Sequence, residues 1–466
     1  MKRTKFIVFP VLALALFSCS EKIEPVALPE PEVVADEVTE NSVTFSWKPV
    51  ENSAGYEYRL SEASDAVAYA KVDAATLSVT IDELKCETEY VFKVKALGDG
   101  GSYLDSGWKE TVVTTPVHVP THVKFADKVL EKLVLGLEPA VDADGNGVIS
   151  FEEAAAVKEI NIGYQYAEDA TEDNTVSDLA GIEYFTSLES LDLKYHRVAD
   201  ATPVEGLSSL QFLNLGENPI SKLDISALVN LTDLRLYGTG VSELDLAKTP
   251  MMKSLYLQRT AFTELDLTPL AELEEAYINE AKLQTLKASG LTKLTRLDAV
   301  KNELTSVDVK DCSSLKQLHL NSNKLTTMDL AGLSSLIILN LYENELTTVN
   351  FSGAPKLMQL FIFDNQLSTV KFSGNRLLSQ VYISNNPLKN LDLSFNYNIA
   401  VLEAINMPAL EEINLQNESF DDFAEYYIVE GNTALQTVYV DAGDEYDYVS
   451  GLFKDVPSVS VVTEEW

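Results

Sequence analysis

The stretch 304-LTSVDVKDCSSLKQLHLNSNKLTTMDL-330 decides the fold, because it holds one pattern and the start of its copy. Leu304-Thr305-Ser306-Val307-Asp308-Val309 returns 21 residues later as Leu325-Thr326-Thr327-Met328-Asp329-Leu330. Working outward, the middle leucine of an LxxLxL unit falls at Leu191, Leu213, Leu234, Leu255, Ala276, Leu297, Leu318, Leu339, Leu360, Val381 and Leu402. After a first step of 22, every interval is 21. A second column keeps the same step through Leu223, Leu244, Leu265, Leu286, Val307, Met328, Val349, Val370 and Leu391. A third carries Asn302, Asn323, Asn344, Asn365 and Asn386, with Asn218 earlier and Thr239, Thr260 and Ala281 between. Three columns in one register read residues 177–415 as a stacked repeat.

Each LxLxxN unit reads as a short strand with its leucines inward, then a turn whose Asn amide can bond backbone groups of adjacent coils. Stacking buries a leucine core that no single repeat could bury alone. At about 4.8 Å per strand, eleven coils predict a solenoid about 50 Å long with one parallel sheet on its concave face. The repeats resemble leucine-rich repeats of the internalin-like and Bacteroides surface-protein kind, which read LTSLDLSxNxxLxxLxLxxNxL. Beyond Leu415 the spacing breaks down, and residues 416–466 turn aromatic and acidic, as a terminal cap should.

Upstream of the repeats lies 142-DADGNGVISFEE-153. Counting Asp142 as position 1 puts Asp144 at 3, Asn146 at 5, Gly147 at 6, Val148 at 7, Ser150 at 9 and Glu153 at 12. This is the EF-hand pattern: hard oxygens for a hard cation, a glycine at the sharp turn, a backbone carbonyl at position 7 and a closing carboxylate. Calcium is the expected ion, and an acidic glycine-rich turn without metal is the plain alternative. Ile149, at position 8, is the residue that usually meets a partner loop. Sensors pair two such loops and dockerins duplicate them, but here there is one. The preceding segment 124–137 has helical periodicity through Phe125, Val129, Leu133 and Leu137, while the helix expected after the loop, within 152–162, is short. That arrangement resembles N-terminal caps of the same bacterial family. Residues 116–176 therefore read as a linker and an EF-hand-like cap, with calcium as a static clip rather than a switch.

Residues 33–115 alternate apolar and polar in short runs separated by turn residues, the signature of a β-sandwich. Trp47, and Tyr90 in the run Leu84-Lys85-Cys86-Glu87-Thr88-Glu89-Tyr90, make this segment resemble a fibronectin type III domain, with Trp47 the core aromatic and Tyr90 the tyrosine-corner residue. The chain begins with Lys2, Arg3 and Lys5, an apolar run from Phe6 to Phe17, and Ser18-Cys19. Residues 1–18 read as a secretory signal. Leu16-Phe17-Ser18-Cys19 resembles the lipobox of bacterial lipoproteins, which implies cleavage before Cys19 and its acylation. Residues 19–32, with Pro25, Pro29 and Pro31, read as a stiff tether.

Asp and Glu number 72 against 35 Lys and Arg, a net charge of −37 that repels nucleic acid. Cys86 and Cys312 fall in different expected domains, which argues against a disulfide and for two small core residues. His118, His122, His196 and His319 are scattered, which disfavours a zinc site. Outward positions beside the repeat leucines collect aromatic residues. Tyr256, Tyr277, His319, Phe361 and Tyr382 share one column, with Tyr237, Tyr342 and Phe363 beside it. Phe361 and Phe363 flank Ile362 and are expected to face solvent. Such a cluster either contacts a ligand or consists of rings covering one another across the sheet. No nucleophile elbow, phosphate loop or His-Glu metal motif appears, so no enzyme is expected. The resulting expectation is a multidomain, monomeric outer-membrane lipoprotein displayed on a bacterial cell. It would adhere to a protein partner through the concave face, or alternatively capture a glycan there.

Overall fold

The computed structural model describes residues 24–418 and 426–466. Cys19 and the expected signal segment lie outside the described residues. The chain divides into two units, one ending at Pro120 and the other running from Thr121 to Trp466.

The first unit is a sandwich of two antiparallel sheets. Val33–Val38, Val43–Trp47 and Ser78–Ile81 form one, and Asp65–Asp73, Gly55–Glu62, Glu89–Leu97 and Lys109–Thr114 form the other in that spatial order. The period-two alternation does the folding. Val43, Phe45 and Trp47 turn inward and are buried, while Thr44 and Ser46 stay partly exposed. Phe45 stacks on Phe92 at 4.0 Å, and Trp47 packs on Tyr56 at 5.5 Å. The Tyr90 hydroxyl accepts the Lys85 N–H at 2.9 Å, which closes the tyrosine corner.

Two expectations fail in this unit. The segment read as a tether belongs to the sandwich from Val26 onward: Val26–Ala27 pairs with Tyr103–Leu104, and Leu28 is buried in the core. Its prolines do not prevent this, because the donors used are Val26 N–H and Leu28 N–H, which alternate with Pro25 and Pro29. Cys86, expected in the core, is exposed.

The second unit is a parallel β-solenoid. Its main sheet has 13 strands, and the central residue of each pairs with the next in unbroken register, Leu297 with Leu318 and Leu318 with Leu339, for example. Ala276 occupies a leucine position and is equally buried. The sheet extends one strand past the periodic region at each end. Glu159–Asn161 lies within the expected cap, and Tyr426–Ile428 within the expected C-terminal cap. The step from Ile160 to Leu191 is 31 residues and that from Leu402 to Tyr427 is 25, so neither strand keeps the period.

The second sequence column builds further parallel ladders. Leu265, Leu286 and Val307 form one, Met328 and Val349 another, and Leu391, Ile413, Val438 and Val461 a third. The leucines of the main sheet and these ladders share one core, each contributing about 1.5–3 kcal/mol on burial.

The asparagine column ties coil to coil. Asn344 donates to Leu320 O at 3.0 Å in the preceding coil and accepts Leu325 N–H at 3.1 Å; Asn323, Asn365 and Asn386 repeat both bonds. The residue just before each asparagine sits in the left-handed region, with φ of 54° at Lys301, 58° at Ser322 and 53° at Asp364. A second buried column crosses coils in the same sense: Cys312 Sγ donates to Ala288 O, Asn375 to Phe351 O and Asn396 to Phe372 O. Burial pushes the Cys312 thiol up to about 11, so it is a packed core residue as expected.

Candidate functional sites

The cap site is built by the chain on both sides of 142–153. The preceding helix is shorter than expected, Lys128–Leu135, because Asp127 stops it by accepting Val129 N–H and Leu130 N–H. The other Asp127 oxygen accepts Ser177 N–H and Oγ–H, which fastens the cap to the first coils. After the loop comes Phe151–Ala156, whose capping box joins Ser150 and Glu153 reciprocally.

Within the loop, Asp142 accepts N–H groups from Gly145, Asn146 and Gly147, and Gly147 takes a φ of 88° that a glycine tolerates. Glu153 accepts Ala143 N–H at 2.8 Å and Ser150 N–H at 2.8 Å. The Ser150 bonds, then that of Ala143, hold the Glu153 carboxyl below its ordinary range.

Oxygens of Asp142, Asp144 and Glu153 all lie within 4.8 Å of one another. Ligands on opposite sides of one calcium stand about 5 Å apart, so these three fit a single cage. Asn146 bonds Asp144 through Nδ2, Ser150 Oγ bonds Glu153, and Val148 is exposed. The three carboxylates and the Ser150 hydroxyl are hard oxygens of the kind calcium takes, while the Asn146 oxygen accepts Val148 N–H at 2.9 Å.

Ile149 distinguishes the two uses of such a loop. It is 2% exposed in the solenoid core, and its carbonyl accepts Val123 N–H at 2.7 Å, beside a bridge between His122 and Ser150. A segment of the chain's own linker therefore pairs with the residue for which the sequence suggested a partner loop.

The second candidate is the exposed face of the main sheet. Tyr256 stacks on Tyr277 at 4.8 Å, Phe361 on Tyr382 at 4.7 Å and Tyr342 on Phe363 at 4.5 Å, with interplanar angles of 11°, 11° and 7°. All six rings are half-buried, so Phe361 and Phe363 are less open than the sequence suggested. Parallel strand spacing near 4.8 Å sets this geometry, since like residues 21 apart fall in face-to-face contact.

His319 is a separate case. Its side chain is 16% exposed, Nδ1 lies 2.7 Å from Asn340 Nδ2, and Nε2 is 3.8 Å from Asp298. Burial lowers its pKa despite Asp298, and it is an enclosed group between the aromatic stacks.

Sequence reasoning missed the cations of this face. Arg235 lies over Phe212 at 4.9 Å and Tyr256 at 4.7 Å, and Arg296 lies over Tyr277 at 5.3 Å. Phe212, Arg235, Tyr256, Tyr277 and Arg296 thus make one ladder across five coils. Each arginine is braced by the aspartate across its central leucine, Asp233 at 2.8 Å and Asp298 at 2.9 Å. The available signal was Asp-Leu-Arg at 233–235 and its mirror Arg-Leu-Asp at 296–298. Burial, and a bond to Glu275, push the Tyr277 hydroxyl up to about 12.

Residues 28–112 match the family model of the fibronectin type III domain. The first unit is thus a fibronectin type III sandwich. The functional domain of InlJ from Listeria monocytogenes is 22% identical with a TM-score of 0.51, over 67% of this chain and 64% of that one. The chain therefore spans under two thirds of that structure. An internalin (inlF) from Listeria monocytogenes is 22% identical over 69% of this chain and 96% of that one, with a TM-score of 0.43. The fn3 domain of human collagen alpha-1(XX) chain is 24% identical over 22% of this chain and 97% of that one, with a TM-score of 0.18. No curated protein matches the chain. The second unit is a leucine-rich-repeat solenoid of the internalin type in fold. Among the described residues, no helix is long and apolar enough to cross a membrane.

Proposed function

We propose that this chain is a non-enzymatic adhesion protein that binds a protein partner through the concave sheet of its solenoid. The observation that carries the reading is the pair of adjoining stacks, Phe361 on Tyr382 and Tyr342 on Phe363. They gather four rigid rings on three neighbouring coils, with the partly exposed Ile338 on the coil of Tyr342. Such a patch buries large area on contact at little entropic cost, as protein hot spots do. A sugar needs a free ring face, and each of these half-buried rings turns one face on its neighbour. Glycan capture at this sheet is accordingly the weaker alternative. Two of the sheet's carboxylates, Asp233 and Asp298, are held by its arginines.

The test is the double variant Phe361→Ala/Phe363→Ala, screened by surface plasmon resonance against matrix proteins and glycan arrays. A protein ligand whose affinity falls at least about tenfold supports the reading. Binding that survives the double change, or a ligand set confined to glycans, refutes it.

Two further parts of the proposal concern the cap and Cys19. Calcium would be held by Asp142, Asp144, Asn146, the Val148 carbonyl, Ser150 and Glu153, and would supply a structural crosslink. Support comes from the convergence of the three carboxylates and from the Val123 contact that seals Ile149 inside. An acyl anchor at Cys19 would hold the protein in an outer membrane, facing out from the cell; it rests on the residues Leu16 to Cys19. Labelling with a fatty-acid probe should mark wild type and spare Cys19→Ala, and equal labelling removes the anchor.

A further inference from the structure

The fibronectin type III unit carries a feature that adhesion through the solenoid does not use. On the outer face of its four-stranded sheet, Arg59 lies opposite Tyr69 on one neighbouring strand and Lys93 on the other. The guanidinium carbon sits 5.3 Å from the Tyr69 ring centre and 4.8 Å from that of Trp108, so two aromatic rings hold it. One N–H goes to Glu57 at 2.8 Å, and Glu57 itself is buried with Lys71 and Lys95 also near it. A guanidinium has five N–H groups in a rigid fork. Arg59 therefore keeps donors to spare, and its side chain is 56% exposed. It lines a groove of about 580 Å³ together with Ser61, Ser64, Ala66, Tyr69 and Lys93.

We propose that this groove is a second binding site, taking a carboxylate-bearing sugar attached to an otherwise neutral oligosaccharide. The carboxylate is the natural partner of the Arg59 fork, with the Lys93 ammonium beside it. The small residues Ser61, Ser64 and Ala66 leave room for a ring and offer hydroxyls to its hydroxyl groups. Tyr69 is 55% exposed, which leaves ring surface for the sugar's C–H face, unlike the mutually stacked rings of the solenoid.

Charge selects the kind of acid. The chain carries −37 overall, and Glu110 and Asp105 pair with Lys93 and Lys95 at the groove. A densely charged polyanion or acidic peptide would be repelled as a whole. A single carboxylate among neutral hydroxyls meets a local balance in which Arg59, Lys71, Lys93 and Lys95 outnumber Glu57, Glu110 and Asp105 by one, while charges beyond about 8 Å are screened at physiological salt. The site does not depend on the solenoid's partner, so either reading stands if the other falls.

The experiment titrates the full chain by calorimetry with sialyllactose, with a glucuronate-terminated oligosaccharide, with lactose as the neutral counterpart, and with polyglutamate. At least one acidic sugar should bind, lactose should not, and Arg59→Met should weaken the acidic sugar at least about tenfold. Tyr69→Ala should cost about fivefold. Both side chains are more than half exposed, so near-UV circular dichroism should confirm that these variants fold. Phe361→Ala/Phe363→Ala should bind the sugar unchanged. Equal binding of lactose, binding indifferent to Arg59, absence of saturable binding by both acidic sugars, or Arg59-dependent binding of polyglutamate alone would each overturn the site.

Discussion

The two halves of the solenoid share one backbone path but hold their coils together differently. From Asn302 to Asn386 each coil contributes an amide that bonds a carbonyl of the preceding coil and accepts an N–H there too. At the equivalent positions upstream, Asn218 still bonds Leu193 O and Val198 N–H in the preceding coil, but Thr239 and Thr260 bond Leu236 O and Leu257 O within their own coils, and Ala281 bonds nothing through its side chain. A hydroxyl three residues beyond its acceptor satisfies that carbonyl locally. An amide with donor and acceptor at opposite corners can span two coils. The upstream half compensates elsewhere: the cap anchors it through Asp127 and Ile149, and the Phe212–Arg296 ladder runs across it.

The largest expected effect breaks the asparagine half. Asn344→Ala leaves Leu325 N–H without an acceptor and Leu320 O without this donor, both buried, and should cost about 3 kcal/mol in urea unfolding followed by circular dichroism. A loss below about 1 kcal/mol would mean that the leucine core alone sets the stacking. The next effect addresses the other end. Calcium at a hundred times its dissociation constant should stabilise the chain by about 2.7 kcal/mol. Chelation should then lower hydrogen-exchange protection from Glu159–Asn161 through Asp233–Arg235 while sparing Gln317–His319. An unchanged melting temperature in chelator removes the clip, and loss spread evenly over all coils removes the distinction between halves.

How far the sequence went follows the same division. The coils were legible because stacking demands one leucine pattern per turn, and Asn323 to Asn386 announced their bonds by type and spacing alike. The left-handed turn of each coil was not legible, since Lys301, Ser322 and Glu343 are not residues that advertise a positive φ. Arg259 and Glu280, which precede Thr260 and Ala281, take the same conformation, so the turn of the coil imposes it whether or not an asparagine follows. The end strands were hidden because Ile160 and Tyr427 fall outside the period. At the cap, ligand types and spacing pointed to calcium, but only the fold showed Val123 standing where a partner loop would be. On the concave face, the columns placed the aromatic rings in line. Whether their faces were free depended on strand spacing and on Arg235 and Arg296, which a search for aromatics passes over.

The far end of the asparagine half offers a pH test. Glu445, in the first turn of Asp444–Leu452, is 2% exposed. Burial raises its carboxyl to about 7, opposed by the Asp441 N–H that it accepts at 2.7 Å and by Tyr427, and aided by the Asp441 charge. Because the folded value is raised, the fold binds the proton more tightly than the unfolded chain does. Stability from this group is therefore full below about pH 4.5 and is lost as pH rises through about 7. Glu445→Gln should remove that slope and, at pH 8, gain on the order of 2 kcal/mol. A slope that persists in the variant would assign it to other groups.

The smallest expected effect is the one that most directly sharpens the comparison. Thr260→Val keeps the side chain's shape and deletes one bond, the 2.6 Å contact to Leu257 O in the same coil. No group in a neighbouring coil loses a partner through this side chain, so the cost should be about 1 kcal/mol, the ordinary net worth of one hydrogen bond. Paired with Asn344→Ala under the same urea conditions, the two variants compare a local bond with a cross-coil one. If Thr260→Val costs as much as Asn344→Ala, the amide's reach into the next coil adds nothing, and the halves differ in sequence but not in how they are held.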